Sequence, residues 1–182
     1  AINGVASTVV LDAMGRTTSL TDALGTFNFS YDGPTNRVLS MTRPNNVSTF
    51  YQYHDNLGDR RLKQIKHQRV TDSSIVSQFD YTYDAVGRIL TWAQGEDGGT
   101  PDLWTIGYDA ADQLTSVAVT KGGNPVTNYA YTYDLSGNRT SKTEKGTLQQ
   151  ARYNALNELA DTVKSPVATK YEWDAEDRMV TA

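Results

Sequence analysis

Two stretches of this chain, Tyr83-Asp84-Ala85-Val86-Gly87-Arg88 and Tyr133-Asp134-Leu135-Ser136-Gly137-Asn138, share one formula: an aromatic, an aspartate, two free positions, a glycine and a polar residue. Looser copies stand at Tyr31-Asp32-Gly33-Pro34-Thr35-Asn36, Tyr108-Asp109-Ala110-Ala111-Asp112-Gln113, Tyr153-Asn154-Ala155-Leu156-Asn157-Glu158 and Trp173-Asp174-Ala175-Glu176-Asp177-Arg178. Tyr53-His54-Asp55-Asn56-Leu57-Gly58 carries one extra residue, and Leu11-Asp12-Ala13-Met14-Gly15-Arg16 is a degenerate eighth copy. The copies begin at residues 11, 31, 53, 83, 108, 133, 153 and 173, and steps of roughly 20 to 30 residues are those of stacked repeats. Self-similarity of this kind constrains the fold more than any local propensity does. One repeat array spans residues 1–182, each copy is a small unit leaning on its neighbours, and function falls to the surface the copies build together.

Each copy ends a run of period two: Phe27, Phe29, Tyr31; Phe79, Tyr81, Tyr83; Trp104, Ile106, Tyr108; Tyr129, Tyr131, Tyr133. Aromatics alternating with small polar residues predict half-buried strands. The aspartate then opens a turn, because its carboxylate bonds the backbone two residues on. The glycine supplies a left-handed backbone, and Asp112, Asn157 and Asp177 are the substitutes that best tolerate positive φ. Thr35 does not suit that conformation, so the second copy is expected to turn through Gly33-Pro34. Extended runs follow each turn, and Gly95–Gly99, Lys121–Pro125, Lys145-Gly146 and Lys164–Pro166 punctuate the far ends. The expected fold is therefore all-β: an antiparallel meander of about eight hairpins. Sixteen strands at ~4.8 Å would extend roughly 75 Å, and open sheets beyond ~10 strands curl or split, so the meander is expected to wind into a spiral sheet or partial shell. The residues carrying the repeat are Tyr31, Asp32, Tyr53, Tyr83, Asp84, Gly87, Tyr108, Asp109, Tyr133, Asp134, Gly137, Tyr153, Trp173 and Asp174.

Only 38% of the residues are hydrophobic, yet there are 11 tyrosines. A sheet built on tyrosine rings reconciles the two, since each ring supplies apolar area while its hydroxyl needs a partner. A net charge of −4 argues against nucleic acid, which requires a basic footprint. There is no apolar run of membrane-spanning length and no signal peptide pattern. The pattern is already under way near Ala1, so the chain reads as a fragment. The absence of cysteine excludes disulfides and thiolate metal sites.

Carboxylates recur at 32, 84, 109, 134 and 174, but catalysis needs one site distinguished from its neighbours, and regular repetition assigns each to its own turn. No catalytic residue, metal ligand or cofactor is therefore expected. His54 and His67 lack metal-ligand spacing and read as solvated positions. The basic run Arg60–Arg69 reads as a solvated strand face that discourages edge pairing, with a polyanion as the alternative. Trp92, Trp104 and Trp173 are candidate sugar-stacking residues if their faces are open, against the alternative that they pack between hairpins. The expected partners are further copies through the unpaired sheet edges, or a polysaccharide; no nucleic acid and no membrane span is expected.

The phrases Tyr83–Leu90 and Tyr133–Thr140 resemble the YD repeats of the Rhs family, and the resemblance runs from about residue 8 to 182. That family includes bacterial Rhs and wall-associated proteins, the C components of insecticidal Tc toxins, and teneurins. The resemblance implies a strip of β-hairpins spiralling into a hollow shell, a secreted or cell-surface location, and a non-enzymatic scaffold; it also implies adhesion or carbohydrate binding as the alternative role. Bacterial toxin members end their shell in a self-cleaving core with an Asp-Pro-x-Gly stretch. The five prolines here follow Gly33, Arg43, Thr100, Asn124 and Ser165, so neither processing nor toxin activity is expected of this chain, which is read as a strip or partial turn.

Overall fold

The computed structural model describes residues 7–181. Cα packing divides the chain into two compact units, residues 1–102 and 103–182. The first holds β1 (Thr8–Leu11), β2 (Thr17–Asp22), β3 (Gly25–Tyr31), β4 (Val38–Thr42), β5 (Val47–Tyr53), β6 (Leu62–Arg69), β7 (Ile75–Tyr83) and β8 (Ile89–Glu96), with one short 3-10 turn at Asn56–Gly58. The second holds β9 (Asp102–Tyr108), β10 (Leu114–Lys121), β11 (Asn124–Tyr133), β12 (Arg139–Glu144), β13 (Thr147–Tyr153), β14 (Leu159–Lys164) and β15 (Val167–Lys170), and a separate two-stranded sheet of β16 (Glu172–Trp173) and β17 (Met179–Thr181). In each unit the strands lie in the sheet in chain order, so the fold is the antiparallel meander expected from the sequence.

The repeat phrase forms the longer turns: β1 to β2, β3 to β4, β5 to β6, β7 to β8, β9 to β10, β11 to β12, β13 to β14 and β16 to β17. At Leu11, Tyr31, Tyr53, Tyr83, Tyr133, Tyr153 and Trp173 the pairing register shifts immediately before the phrase's first residue. The turn thus opens from a bulge, which bends the hairpin and raises its twist. The opposite ends close tightly. Gly122-Gly123 (φ 56° and 81°) and Lys145-Gly146 (φ 48° and 79°) form two-residue turns with both centres left-handed, the geometry that matches strand twist.

Burial is lateral and shallow. Among the described residues only Val117, Val119, Ser48 and Thr49 are buried, Thr49 completely. The aromatic residues of β3 alternate between half-buried Phe27, Phe29 and Tyr31 and exposed Asn28 and Ser30, and β11 follows the same pattern. A sheet with so little enclosed volume must be held along its strands and turns.

Two expectations are corrected. His67 is not solvated. It lies half-buried with its Nδ1 2.8 Å from the Oγ1 of Thr49 and its ring edge-on to Phe79 at 6.2 Å. His54 is half-buried as well, its ring edge-on to Tyr83 at 6.0 Å. In both cases an aromatic residue of β7 takes the ring as a packing partner, which polarity along the sequence does not reveal.

Candidate functional site: the seam between repeats

Each phrase aspartate organises its own turn. Asp84 Oδ1 accepts from the backbone N–H of Val86 at 3.0 Å and of Arg88 at 2.9 Å, while Oδ2 accepts from Arg88 Nε at 2.6 Å. Asp12 does the same with Met14 and Arg16, and Asp174 with Glu176 and Arg178. Asp134 accepts from Ser136 and Asn138, and Asp109 from Ala111 and Gln113. In the 153 copy the chemistry is reversed. Asn154 Oδ1 accepts the two backbone bonds while its amide donates to the carboxylate of Glu158. At Arg16, Arg88, Asn138, Glu158 and Arg178 the polar residue closing the phrase, whose role the sequence leaves undefined, is therefore the side-chain partner of the turn Asp or Asn.

The fifth phrase position is left-handed throughout these turns: Gly15 (77°), Gly87 (96°), Gly137 (85°), Asp112 (62°), Asn157 (64°) and Asp177 (58°). The second copy turns differently. Gly33 takes φ 52°, and Thr35 donates its hydroxyl to the carbonyl of Asp32 at 2.8 Å and accepts from the N–H of Arg37. Asp32 also accepts from Arg37 and from Arg60 of the following copy. In the third copy a 3-10 turn capped by Asp55 replaces the short phrase turn.

The first phrase residue bonds the preceding copy. Tyr31 Oη donates to the carbonyl of Thr17 at 2.7 Å, Tyr53 to Val38 at 2.9 Å and Tyr83 to Leu62 at 2.8 Å. Tyr133 donates to Leu114 at 2.8 Å and Tyr153 to Arg139 at 3.1 Å. Trp173, which stands in place of the tyrosine, uses its indole N–H for the same bond, to Leu159 at 2.9 Å. The acceptor is always the first residue after the preceding phrase turn.

Register explains why that carbonyl is available. The β2–β3 ladder ends at Ser19↔Asn28, β4–β5 at Ser40↔Phe50, β6–β7 at Gln64↔Asp80, β10–β11 at Ser116↔Ala130, β12–β13 at Ser141↔Gln150 and β14–β15 at Asp161↔Lys170. Each ladder stops two residues short of the acceptor, and the aromatic donor takes the carbonyl that no strand reaches. Cations reinforce the seam: the guanidinium of Arg16 lies 4.4 Å from the centre of the Tyr31 ring, Arg37 5.7 Å from Tyr53 and Arg61 5.8 Å from Tyr83.

These contacts set the protonation states. Backbone and side-chain bonds from Arg16 hold Asp12 below the usual carboxylate range, the bond from the Asn138 amide does so for Asp134, and the backbone bond of Arg178 for Asp174. Burial raises the hydroxyls of Tyr53, Tyr83 and Tyr133. Ionised aspartates already saturated with donors, beside protonated tyrosines already donating, are arranged for structure; neither group is poised for proton transfer near neutrality.

Trp92 sits in β8 opposite Tyr81, Trp104 in β9, and Trp173 in β16 with its N–H engaged; all are half-buried. Tyr108 ends β9, also half-buried. The basic run is dispersed by strand alternation and by pairing. Arg60 bonds Asn56 and Asp32, Arg61 bonds Asp59 and the carbonyl of Asp84, Lys66 lies over Phe50 and Arg69 reaches Ser74. Among the described residues no three His, Asp or Glu side chains converge as metal ligands. Surface grooves are shallow; one of about 290 Å³ is lined by Lys142, Glu144, Lys145, Thr147, Gln149 and Lys164, and one of about 300 Å³ lies by His54, Arg61 and Tyr83. Among the described residues no helix is long and apolar enough to cross a membrane.

No family model and no curated protein matches the chain. Solved structures do. The crystal structures of TcdB2-TccC3-Cdc42 and of TcdB2-TccC3 are each 18% identical, cover 98% of this chain with a TM-score of 0.51, and are covered over only 13% and 14% of their own length. At that identity the likeness is one of fold, and it carries the hairpin meander.

Proposed function

We propose that this chain is a non-enzymatic structural scaffold, a wall segment of a larger secreted or cell-surface protein of the YD-repeat type. The observation that carries this reading is the seam. In six copies the most chemically distinctive side chain donates to the backbone of the preceding copy, and in six the turn Asp or Asn is saturated within its own turn. Residues so engaged build continuity from one copy to the next. The fold shared with TcdB2-TccC3, of which the chain matches a small part, supports a role as one portion of an extended wall that surrounds or displays something else.

The competing role, a carbohydrate-binding or adhesion module, rests on Trp92 and Trp104, whose rings keep some exposure. A glycan array read with the whole chain, together with tryptophan fluorescence under iodide quenching, separates the two. The scaffold predicts no saccharide hit and iodide quenching that added polysaccharide leaves unchanged. A specific saccharide whose binding is lost in Trp92→Ala or Trp104→Ala, with unfolding unchanged, would overturn it.

A further inference from the structure

Thr49 is the only side chain among the described residues with no exposure at all, and it is polar. It sits at the centre of β5 between two cationic or potentially cationic groups. Arg43, just beyond β4, donates from Nη1 to Thr49 Oγ1 at 2.6 Å, and His67 of β6 places Nδ1 2.8 Å from the same oxygen. The hydrogen count decides the histidine's state. A guanidinium can only donate, so the oxygen accepts from Arg43. The hydroxyl has one proton of its own, and in this fully buried place the acceptor within reach is His67 Nδ1, so it donates there. That nitrogen must then be bare, and the ring neutral with its proton on Nε2.

We propose that Arg43, Thr49 and His67 form an acid-sensitive latch in the first unit, joining the end of β4 to β5 and β6. A proton arriving on Nδ1 converts the acceptor into a donor. The Thr49 oxygen then faces two donors, its own proton has no acceptor, and a second positive charge stands beside Arg43. The β5–β6 pairing, which runs without a break from Val47↔Arg69 to Gln52↔Gln64, is the register this would loosen.

No neighbouring group counters that charge. From β5 the ring meets Thr49; β7 places Ser77 opposite it and Phe79 edge-on. Arg69, two residues along β6, turns its guanidinium to Ser74 Oγ, and Asp80 of β7 is held by Gln64 and Gln78. The one charged group acting on the ring is Arg43, and burial and that guanidinium both push the imidazole below its ordinary value of 6.5. The sign follows. The unfolded chain binds this proton at the ordinary histidine value, the folded chain only at a lower pH, so stability falls as pH drops through that window. Both histidines of the chain lie in the first unit, so the second has no histidine to respond there.

The test is nitrogen NMR of the imidazoles in the whole chain, with urea unfolding at about pH 7.5 and about pH 5, spanning the histidine range. We expect the Nε2–H form of His67 at neutral pH, a titration midpoint below 6.5 that rises in Arg43→Gln, and a drop in urea midpoint on acidification that is smaller in His67→Gln. An Nδ1–H form, a midpoint at or above 6.5, or an unmoved midpoint in Arg43→Gln would overturn the latch. An equal acid drop in His67→Gln would do so as well. The NMR measurement on the unsubstituted chain decides the matter even where a variant does not fold.

Discussion

The two units use the same repeat under different degrees of regularity. In the second unit the phrases at 108, 133, 153 and 173 all close as one type of turn, with two backbone N–H groups on one side-chain oxygen and a left-handed fifth residue. In the first, the phrase at 31 turns through Gly33-Pro34 and that at 53 opens into a 3-10 turn. The irregular unit is also the one that buries a polar cluster, Arg43–Thr49–His67, and bridges copies with Arg60–Asp32. A regular repeat is stabilised by bonds each copy makes within itself and to the copy before. Where a copy departs from the formula, cross-strand side chains must supply what the turn no longer does, and such buried networks are costly to disturb.

The comparison can be broken at graded points. Thr49→Val removes the one hydroxyl that serves both Arg43 and His67, and should cost about 2 kcal/mol in urea unfolding. Tyr83→Phe strands the Leu62 carbonyl and should cost about 1 kcal/mol. Tyr153→Phe, whose bond is longer and exposed, should cost only about 0.5 kcal/mol. Turn chemistry should be interchangeable. Asn154→Asp alone sets a carboxylate against Glu158 and should lower the thermal midpoint, while adding Glu158→Arg rebuilds the pair seen at Asp84–Arg88 and should restore it.

The pH limbs sharpen the same comparison. The turn aspartates titrate lower when folded than unfolded, so their stabilisation is complete above the ordinary value of 3.8 and is lost as pH falls through the depressed folded values. The seam tyrosines titrate higher when folded, so their contribution is complete below 10.0 and is lost as pH rises through the raised values, where a tyrosinate can no longer donate. Pairing Tyr83→Phe with an alkaline unfolding series should flatten part of the upper limb and leave the acid limb untouched.

The meander and most turns were legible because their determinants are local. Alternation is visible in Phe27–Tyr31, and Asp112, Asn157 and Asp177 announce their left-handed backbone by residue type alone. The seam was half legible. A tyrosine-rich sheet implies hydroxyls in need of partners, but the identity of the acceptor depends on where a neighbouring ladder stops, which only pairing register reveals. The closing polar residue of the phrase could have been found from Asn154 and Glu158, where donor and acceptor exchange places together. The latch was illegible. Arg43, Thr49 and His67 are scattered among polar residues, and the basic run around His67 pointed toward solvent.

The central claim is that in the phrases at 31, 53, 83, 133, 153 and 173 the first residue joins consecutive copies through a hydrogen bond to backbone. The most direct measurement is urea unfolding of single Tyr→Phe variants at Tyr31, Tyr53, Tyr83 and Tyr133, set against Tyr51→Phe and Tyr81→Phe, which lie on the same strands as two of them but outside the phrase. The account predicts losses of about 1 kcal/mol at the four seam positions and clearly smaller ones at the two controls. Equal losses in both sets would show that the hydroxyls matter only as part of a general tyrosine surface, and would contradict it.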